Sequence, residues 1–241
     1  MLTFRVVLIE PLYSGNVGSV ARVMMNFGFN ELVLLNPCEL DAPTRLMAVH
    51  AYDIIENAKI EFSFKEALNG SNIIIGMTGI RGKTDNKHMR MPVLSPCKLK
   101  EKLTGKTGVV SLLFGREDDG LSNEELESCD IIVNIPTSPD YPSMNLSHAV
   151  AVVLYELSDI KGGEDYLADH SDVELLYKHL EDVMSDIEYK DHKEGKTLLM
   201  LQRILGRAEL TGREVQTLRG VLRRIQWKLG TLENTRKMDS R

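Results

Sequence analysis

Cysteine, long apolar runs and nucleotide-loop fingerprints are all scarce in this chain, and each scarcity closes off a class of function. The 3 cysteines among 241 residues, Cys38, Cys97 and Cys129, are odd in number and far apart, with no Cys-x-x-Cys pair. That spacing offers neither a disulfide framework nor a zinc knuckle, so reduced thiols in a cytoplasmic protein are expected, with no metal. No apolar run approaches the roughly 20 residues that cross a bilayer. Met1-Leu-Thr-Phe-Arg-Val-Val-Leu-Ile9 has too short an apolar core for a signal peptide and reads as a first strand. No Gly-x-Gly-x-x-Gly follows an apolar run. Gly76-Met-Thr-Gly-Ile-Arg-Gly-Lys-Thr84 misses a phosphate-binding loop because Met77 stands where that motif needs glycine.

What remains is an ordinary globular composition, 43% hydrophobic and 27% charged, with a net charge of −6. The charge is unevenly spread. Residues 1–160 carry 14 Lys+Arg against 20 Asp+Glu, residues 161–192 carry 3 against 10, and residues 193–241 carry 12 against 5. A basic end on an acidic chain suits a polyanionic partner. On charge alone, simple solvation of helix faces accounts for it equally well.

Five short apolar runs rich in branched residues, within 5–9, 31–35, 72–76, 109–114 and 130–135, read as buried strands. Continuous rather than alternating apolar strands predict a parallel sheet with helices on both faces. The first helix places Val17, Val20, Ala21, Met24 and Phe27 on one face, with Asn16 as its N-cap and Gly28 past its end. Ser122 and Glu125 have capping-box spacing. The helix from Leu146 to about Leu157 is apolar nearly all round and predicts full burial. These features define an α/β domain over residues 1–160.

Residues 161–172 form an acidic, glycine-containing linker. Residues 173–241 predict a small all-α domain. Its three apolar faces are Leu176, Leu180, Val183 and Ile187; then Leu198, Leu201 and Leu205; then Val215, Leu218, Leu222, Ile225 and Leu229. Thr211 and Glu214 make a second capping box, with Leu210 and Val215 as its hydrophobic staple. Arg219, Arg223, Arg224 and Lys228 fall off the last stripe.

Three glycine-bearing turns follow apolar runs: Glu10 to Arg22, Phe114 to Leu121 and Ile135 to Ser147. Strand-to-helix loops of small residues are how open α/β sheets build ligand sites, so three of them predict one shared pocket. Each also has a plain structural reading. Asn16 caps a helix beside a solvated Arg22, Arg116 pairs with Glu117, and Pro142-Ser-Met-Asn145 starts a helix.

Taken together, the three stretches resemble the three motifs of the SpoU branch of the SPOUT RNA methyltransferases. The matching positions are Asn16, Gly18, Arg22, Phe27 and Gly28; Phe114, Gly115, Glu117, Gly120 and Leu121; and Ile135, Pro136, Ser143, Asn145, Ser147, Ala149, Tyr155 and Glu156. The helical tail, with Leu205-Gly-Arg-Ala-Glu-Leu-Thr-Gly-Arg-Glu214, looks like that of the TrmJ group, which methylates a ribose 2′-hydroxyl in the tRNA anticodon loop. Met144 replaces the family's usual leucine at similar volume. The glycine-rich 78–82 segment leaves the preferred base open.

The resemblance implies a sheet with a C-terminal trefoil knot, an exception to the usual unthreaded chain. It implies a homodimer with active sites across its interface, and tRNA as partner. It implies S-adenosylmethionine as methyl donor, with S-adenosylhomocysteine as product. Cofactor contacts would come from Thr78, Gly79, Ile80, Gly115, Ile135, Ser143, Met144 and Asn145, with apolar walls from Leu113, Ile135 and Met144. Catalytic positions would be Arg22, Asn16, Glu117, Ser143 and Asn145. Residues 193–241 would hold RNA phosphates against an acidic catalytic domain. Two alternatives stand beside this: a ribosomal RNA methyltransferase of the same family, and a non-catalytic RNA-binding protein on the same fold.

Overall fold

Buried strands that are apolar on both faces must be covered on both faces. The computed structural model, which describes residues 1–79, 92–189 and 191–239, places the five predicted runs in one such sheet. The chain divides into two units, Met1–Asp165 and Tyr166–Arg241.

The first unit runs β1 (Leu2–Ile9), α1 (Ser14–Asn26), β2 (Glu31–Leu35), α2 (Ala42–Ala48), α3 (Tyr52–Glu56), β3 (Lys59–Glu61), α4 (Phe64–Ala67), β4 (Ile73–Met77), β5 (Val93–Leu94), α5 (Pro96–Leu103), β6 (Lys106–Phe114), α6 (Asn123–Glu127), β7 (Ile131–Val133) and α7 (Leu146–Leu157). Its strand order is β3-β2-β1-β6-β4-β7-β5. Every pairing along that path is parallel. In the centre, Leu8 is paired with Leu34 on one side and Phe114 on the other. Val7, Ile9, Ile74, Leu113 and Ile132 join one buried cluster. The two short strands β3 and β5 were not legible, because three and two residues give no hydrophobic period.

Two local readings change. Helix α1 begins at Ser14, with Tyr13 as its extended N-cap residue, so Asn16 lies in the first turn instead of capping it. At the other end the reading stands, since Gly28 has φ +78° and terminates the helix. Helix α7 is buried on one side only, through Leu146, Val150, Val153, Leu154 and Leu157. Its other side leaves Val152 39% and Tyr155 66% exposed.

Gly18 sets how closely α2 approaches α1. A Cβ on Gly18 would stand 2.2 Å from the Thr44 carbonyl oxygen and 3.0 Å from the Ala48 nitrogen, both backbone atoms that cannot swing aside. We expect Gly18→Ala to cost about 3 kcal/mol. Gly28→Ala, with nothing within 4 Å of the added carbon, should cost only the left-handed backbone penalty, about 1 kcal/mol. Chemical denaturation of both variants checks this, and equal losses would overturn it.

The boundary between the units falls inside the predicted linker. Residues up to Asp165 stay with the first unit, where the Gly163 and Asp165 amides donate to Lys106 and Gly105 carbonyls. Strand β8 (Asp165–Tyr166) straddles the boundary. The second unit is helical: α8 (His170–Asp186), α9 (Asp191–Ala208) and α10 (Gly212–Asp239). Val173, Leu176, Val183, Val215 and Leu222 form its core, flanked by Leu180, Leu205 and Leu210. Thr211 and Glu214 exchange the predicted cap bonds. On α9 Leu205 of the predicted Leu198-Leu201-Leu205 face packs against the core, and a buried stripe of Leu199 and Arg203 runs beside that face. A charged residue on the stripe hid it from the apolar pattern. Ile187 is exposed just past the end of α8. No helix among the described residues is long and apolar enough to cross a membrane.

Candidate active site

Parallel strands deliver all their carboxyl ends to one edge, and the loops that leave Ile9, Phe114 and Val133 meet there. A carboxylate in the second loop organises the first. Glu117 accepts from the Leu12 amide at 2.8 Å, the Tyr13 amide at 3.4 Å and the Asn16 side-chain Nδ2 at 2.7 Å. Asn16 Oδ1 in turn accepts from Asn145 Nδ2 of the third loop at 3.3 Å. Asn145 Oδ1 caps α7 by accepting from the Ser147 amide at 2.9 Å and its hydroxyl at 2.8 Å. One chain of side chains, Glu117–Asn16–Asn145, therefore ties three loops from distant parts of the sequence.

The second loop keeps its shape through different partners from those the sequence suggested. Arg116 does not pair with its neighbour Glu117. Its Nε donates to Glu10 at 2.8 Å, and its other nitrogens donate to Glu125 at 3.0 and 3.2 Å. These two carboxylates push the Arg116 pKa up, and Arg116 holds the Glu10 carboxyl below its ordinary value through a direct hydrogen bond. Gly115 permits the turn, since a Cβ there would lie 2.1 Å from the Gly120 carbonyl carbon. Because the folded Glu10 pKa is lowered, its contribution is full above the ordinary value of 4.5 and is lost as pH falls through the lowered one. We expect Glu10→Gln to reduce Tm at neutral pH, with the gap from wild type closing as the pH is brought below 4.5. A gap that is constant with pH would overturn this.

Between the loops lies an open cleft of about 840 Å³. Five of the predicted site residues line it: Asn16, Glu117, Ser143, Met144 and Asn145. Tyr13, Gly15, Ser19, Met47, Tyr141 and His148 line it too. The sequence reading missed these six. Met47 comes from α2, which no motif marked, and His148 follows the third motif on α7.

The predicted cofactor residues fall into separate groups. The segment after β4 lies against the third loop: a Cβ on Gly79 would stand 3.5 Å from the Pro142 carbonyl oxygen and 3.9 Å from Ser143 Cα. Buried Asn134 holds this segment by donating from Nδ2 to the Thr78 carbonyl at 2.7 Å, while the Thr78 amide donates to Val133 at 2.9 Å. Asn134 was also missed; a polar residue closing the apolar run Ile131–Val133 was its only signal. Ile135 is half-buried just beyond β7. Leu113, read as a cleft wall, is instead fully buried in the sheet core. Ile80 lies outside the described residues.

Arg22 does not line the cleft in this chain. It continues the stripe of Gly15 and Ser19 at i, i+4 and i+7 on α1, about 4.5 Å along the axis beyond Ser19. It is exposed, and among the described residues it has no hydrogen-bond or ion-pair partner. Asn16 and Glu117 therefore hold each other and the loops, and neither is hydrogen-bonded to Arg22. A free guanidinium stands one helical turn beyond Ser19, which lines the cleft.

Known proteins resemble this chain in both of its parts. The profile of the SpoU rRNA Methylase family matches residues 3–155, and that of the tRNA methyltransferase TrmJ C-terminal domain matches residues 171–238. A tRNA (cytidine-2′-O-)-methyltransferase TrmJ of Methanocaldococcus jannaschii is 41% identical, over 90% of this chain and 97% of its own length. A tRNA (cytidine/uridine-2′-O-)-methyltransferase TrmJ of Pectobacterium atrosepticum is 34% identical, over 92% and 96%. Among solved structures, TrmJ from Z. mobilis ZM4 superposes with a TM-score of 0.72 at 27% identity, over 92% of this chain and 98% of that one.

Proposed function

The chain belongs to the SpoU rRNA methylase family, and from that membership we propose that it methylates the 2′-hydroxyl of a ribose, on cytidine and/or uridine, in the tRNA anticodon loop. The observation that carries this reading is the hydrogen-bonded chain Glu117–Asn16–Asn145, which gathers the three family motifs around one cleft. Both quoted relatives are named for transfer to tRNA cytidine, and one for uridine as well. The second unit, matched by the TrmJ C-terminal profile, supplies the basic end that an acidic first unit needs to hold RNA. We place the enzyme in the cytoplasm with its substrate.

S-Adenosylmethionine fits the residues present. Gly79 lies beside the Pro142–Ser143 backbone with no side chain of its own, so main-chain N–H and C=O groups can approach a ligand closely. Gly115, Ile135 and Asn145 complete the proposed set, with Met144 as an apolar wall. When bound, the cofactor supplies an electrophilic methyl group. The protein then has to bring the 2′-oxygen in line and help it shed its proton. A guanidinium stays protonated, so Arg22 acts as a clamp on the neighbouring phosphate and as a counter-charge to the developing alkoxide, not as a base. Asn16 and Glu117 hold α1 in register with the third loop. Ser143 and Asn145 line the cleft on the side of the third loop.

A second copy of the chain completes the site. His148, Val152 and Tyr155 form an exposed i, i+4, i+7 stripe on α7 that starts at the cleft. The Tyr155 ring meets Phe27 edge-on at 6.0 Å. Apolar side chains left exposed beside a cleft suit an isologous contact between protomers, the most common symmetry for soluble oligomers. A trefoil knot in each protomer belongs to the same proposal. We expect Tyr155→Glu to shift the species seen by light scattering from dimer to monomer and to lower methyl transfer at least tenfold. An unchanged mass would overturn the placement of the interface.

The function itself is tested by transfer of labelled methyl from S-adenosylmethionine to bulk tRNA, followed by nucleoside analysis. Label in 2′-O-methylcytidine or 2′-O-methyluridine is the expected result. Label confined to ribosomal RNA, or no label despite cofactor binding, would replace this reading with one of the two alternatives.

A further inference from the structure

The chain has a single tryptophan, Trp227, and it is not in a core. It lies on α10 with 56% of its surface exposed. The Arg224 guanidinium sits over its ring, 4.1 Å from the centroid. The orientation of α10 is set from its other side. Gln226 Nε2 donates to Asp186 at 2.8 Å, the Gln226 oxygen meets His179 Nε2 at 2.8 Å, and Leu222 is buried. The helix therefore holds the Trp227–Arg224 pair outward.

The surroundings of the pair are specific. Gly220, Arg224 and Trp227 share one face at i, i+4 and i+7, and nothing lies within 4 Å of where a Gly220 Cβ would be. Side chains on a helix lean toward its N-terminus, so this bare turn leaves open floor beside the stacked planes. Exposed Arg223 and Lys228 flank it. Among the described side chains of the same helix, the other exposed apolar residues, Leu218, Val221 and Ile225, lie about 180°, 120° and 160° around the axis from Trp227. Trp227 is thus separate from the hydrophobic stripe and surrounded by cations. A protein-docking patch would join the two, whereas a nucleic-acid contact combines an aromatic plane with phosphate-binding charges.

We propose that Trp227 and Arg224 form a stacking platform for an unpaired base of the RNA substrate, with Arg223 and Lys228 taking the adjoining phosphates. This rests on the assignment of RNA as substrate and adds a site outside the catalytic cleft. The platform grips by the flat face of the base, so it is tolerant of base identity but requires that the base be unpaired. It therefore contributes to affinity and not to the choice of base at the cleft.

The lone tryptophan is its own reporter. In the full-length protein, emission should be quenched saturably by a short single-stranded oligouridylate, and much less by an abasic sugar–phosphate strand of the same length and charge. Trp227→Ala should raise the Kd and KM for tRNA about tenfold, with S-adenosylmethionine affinity unchanged as the control for folding. Trp227→Phe should recover most of the loss. Equal quenching by the abasic strand, or tRNA binding by Trp227→Ala at wild-type strength, would overturn the platform. So would a change in native mass, which would make this face a protein contact. Failure of the wild-type enzyme to methylate tRNA would instead refute the parent assignment, while base-dependent quenching would still stand or fall by itself.

Discussion

Arg22→Ala should lower turnover at saturating tRNA and cofactor by about 100-fold or more, with cofactor affinity close to wild type. The reason lies in where Arg22 stands. It is exposed, one helical turn beyond Ser19, which lines the cleft. Among the described residues it is engaged in no ion pair or hydrogen bond, so its removal disturbs no structural contact. A charge kept free one helical turn from the cleft is available to a ligand that brings its own anion. Charge-assisted contacts to phosphate and to a developing alkoxide are the strong ones, and the planar fork engages phosphate with two parallel bonds. Arg22→Lys should therefore recover only part of the loss, since it restores charge without the fork. The measurement is single-turnover methyl transfer with cofactor binding by calorimetry. Turnover within tenfold of wild type would remove Arg22 from the mechanism.

Glu117→Ala should be nearly as damaging, for a different reason. Its carboxylate receives two backbone amides and the Asn16 side chain, and through Asn16 it reaches Asn145. Without it the start of α1 loses its anchor to the second loop. A displacement of about 1 Å in a positioning group costs about 100-fold in rate. The lost charge-assisted bonds should also lower stability by about 2 kcal/mol. Because Asn16 and Glu117 act in one network, the losses should not multiply: Asn16→Ala combined with Glu117→Ala should be little worse than Glu117→Ala alone. Rates and urea midpoints for the two single variants and the double variant measure this. Multiplicative losses would show that the two residues act separately.

The parts legible in the sequence were those written in a local code. Strand β1 was readable from the four consecutive apolar residues Val6 to Ile9, and Gly28 as a terminator because only glycine sits easily at φ +78°. The Ser122–Glu125 and Thr211–Glu214 caps follow from spacing alone, and both are present. The convergence of Asn16, Glu117 and Asn145 was legible only as a pattern of three motifs, because nothing local says that residues 16, 117 and 145 touch. What failed was whatever depends on the third dimension. Arg116 chose Glu10 and Glu125 over its neighbour, since a turn closed by Gly115 and Gly120 points adjacent side chains apart. Asn16 looked like a cap because its type favours that role, but its amide was needed across the cleft. Full burial of α7 was expected from composition, yet composition cannot tell a face packed in the core from one left at the surface, where Val152 and Tyr155 stand.

The pairing of Leu2 with Gly108 across the middle of the sheet has a consequence for biosynthesis. Strand β1 is synthesised before its neighbour β6, which ends at Phe114, so the whole stretch from Glu10 to Phe114 must be made before the central ladder can close. At about 5–20 residues per second, that is a wait of several seconds or more with an unpaired apolar edge. Nascent chains halted before β6 should remain protease-sensitive, and those carrying it should begin to resist.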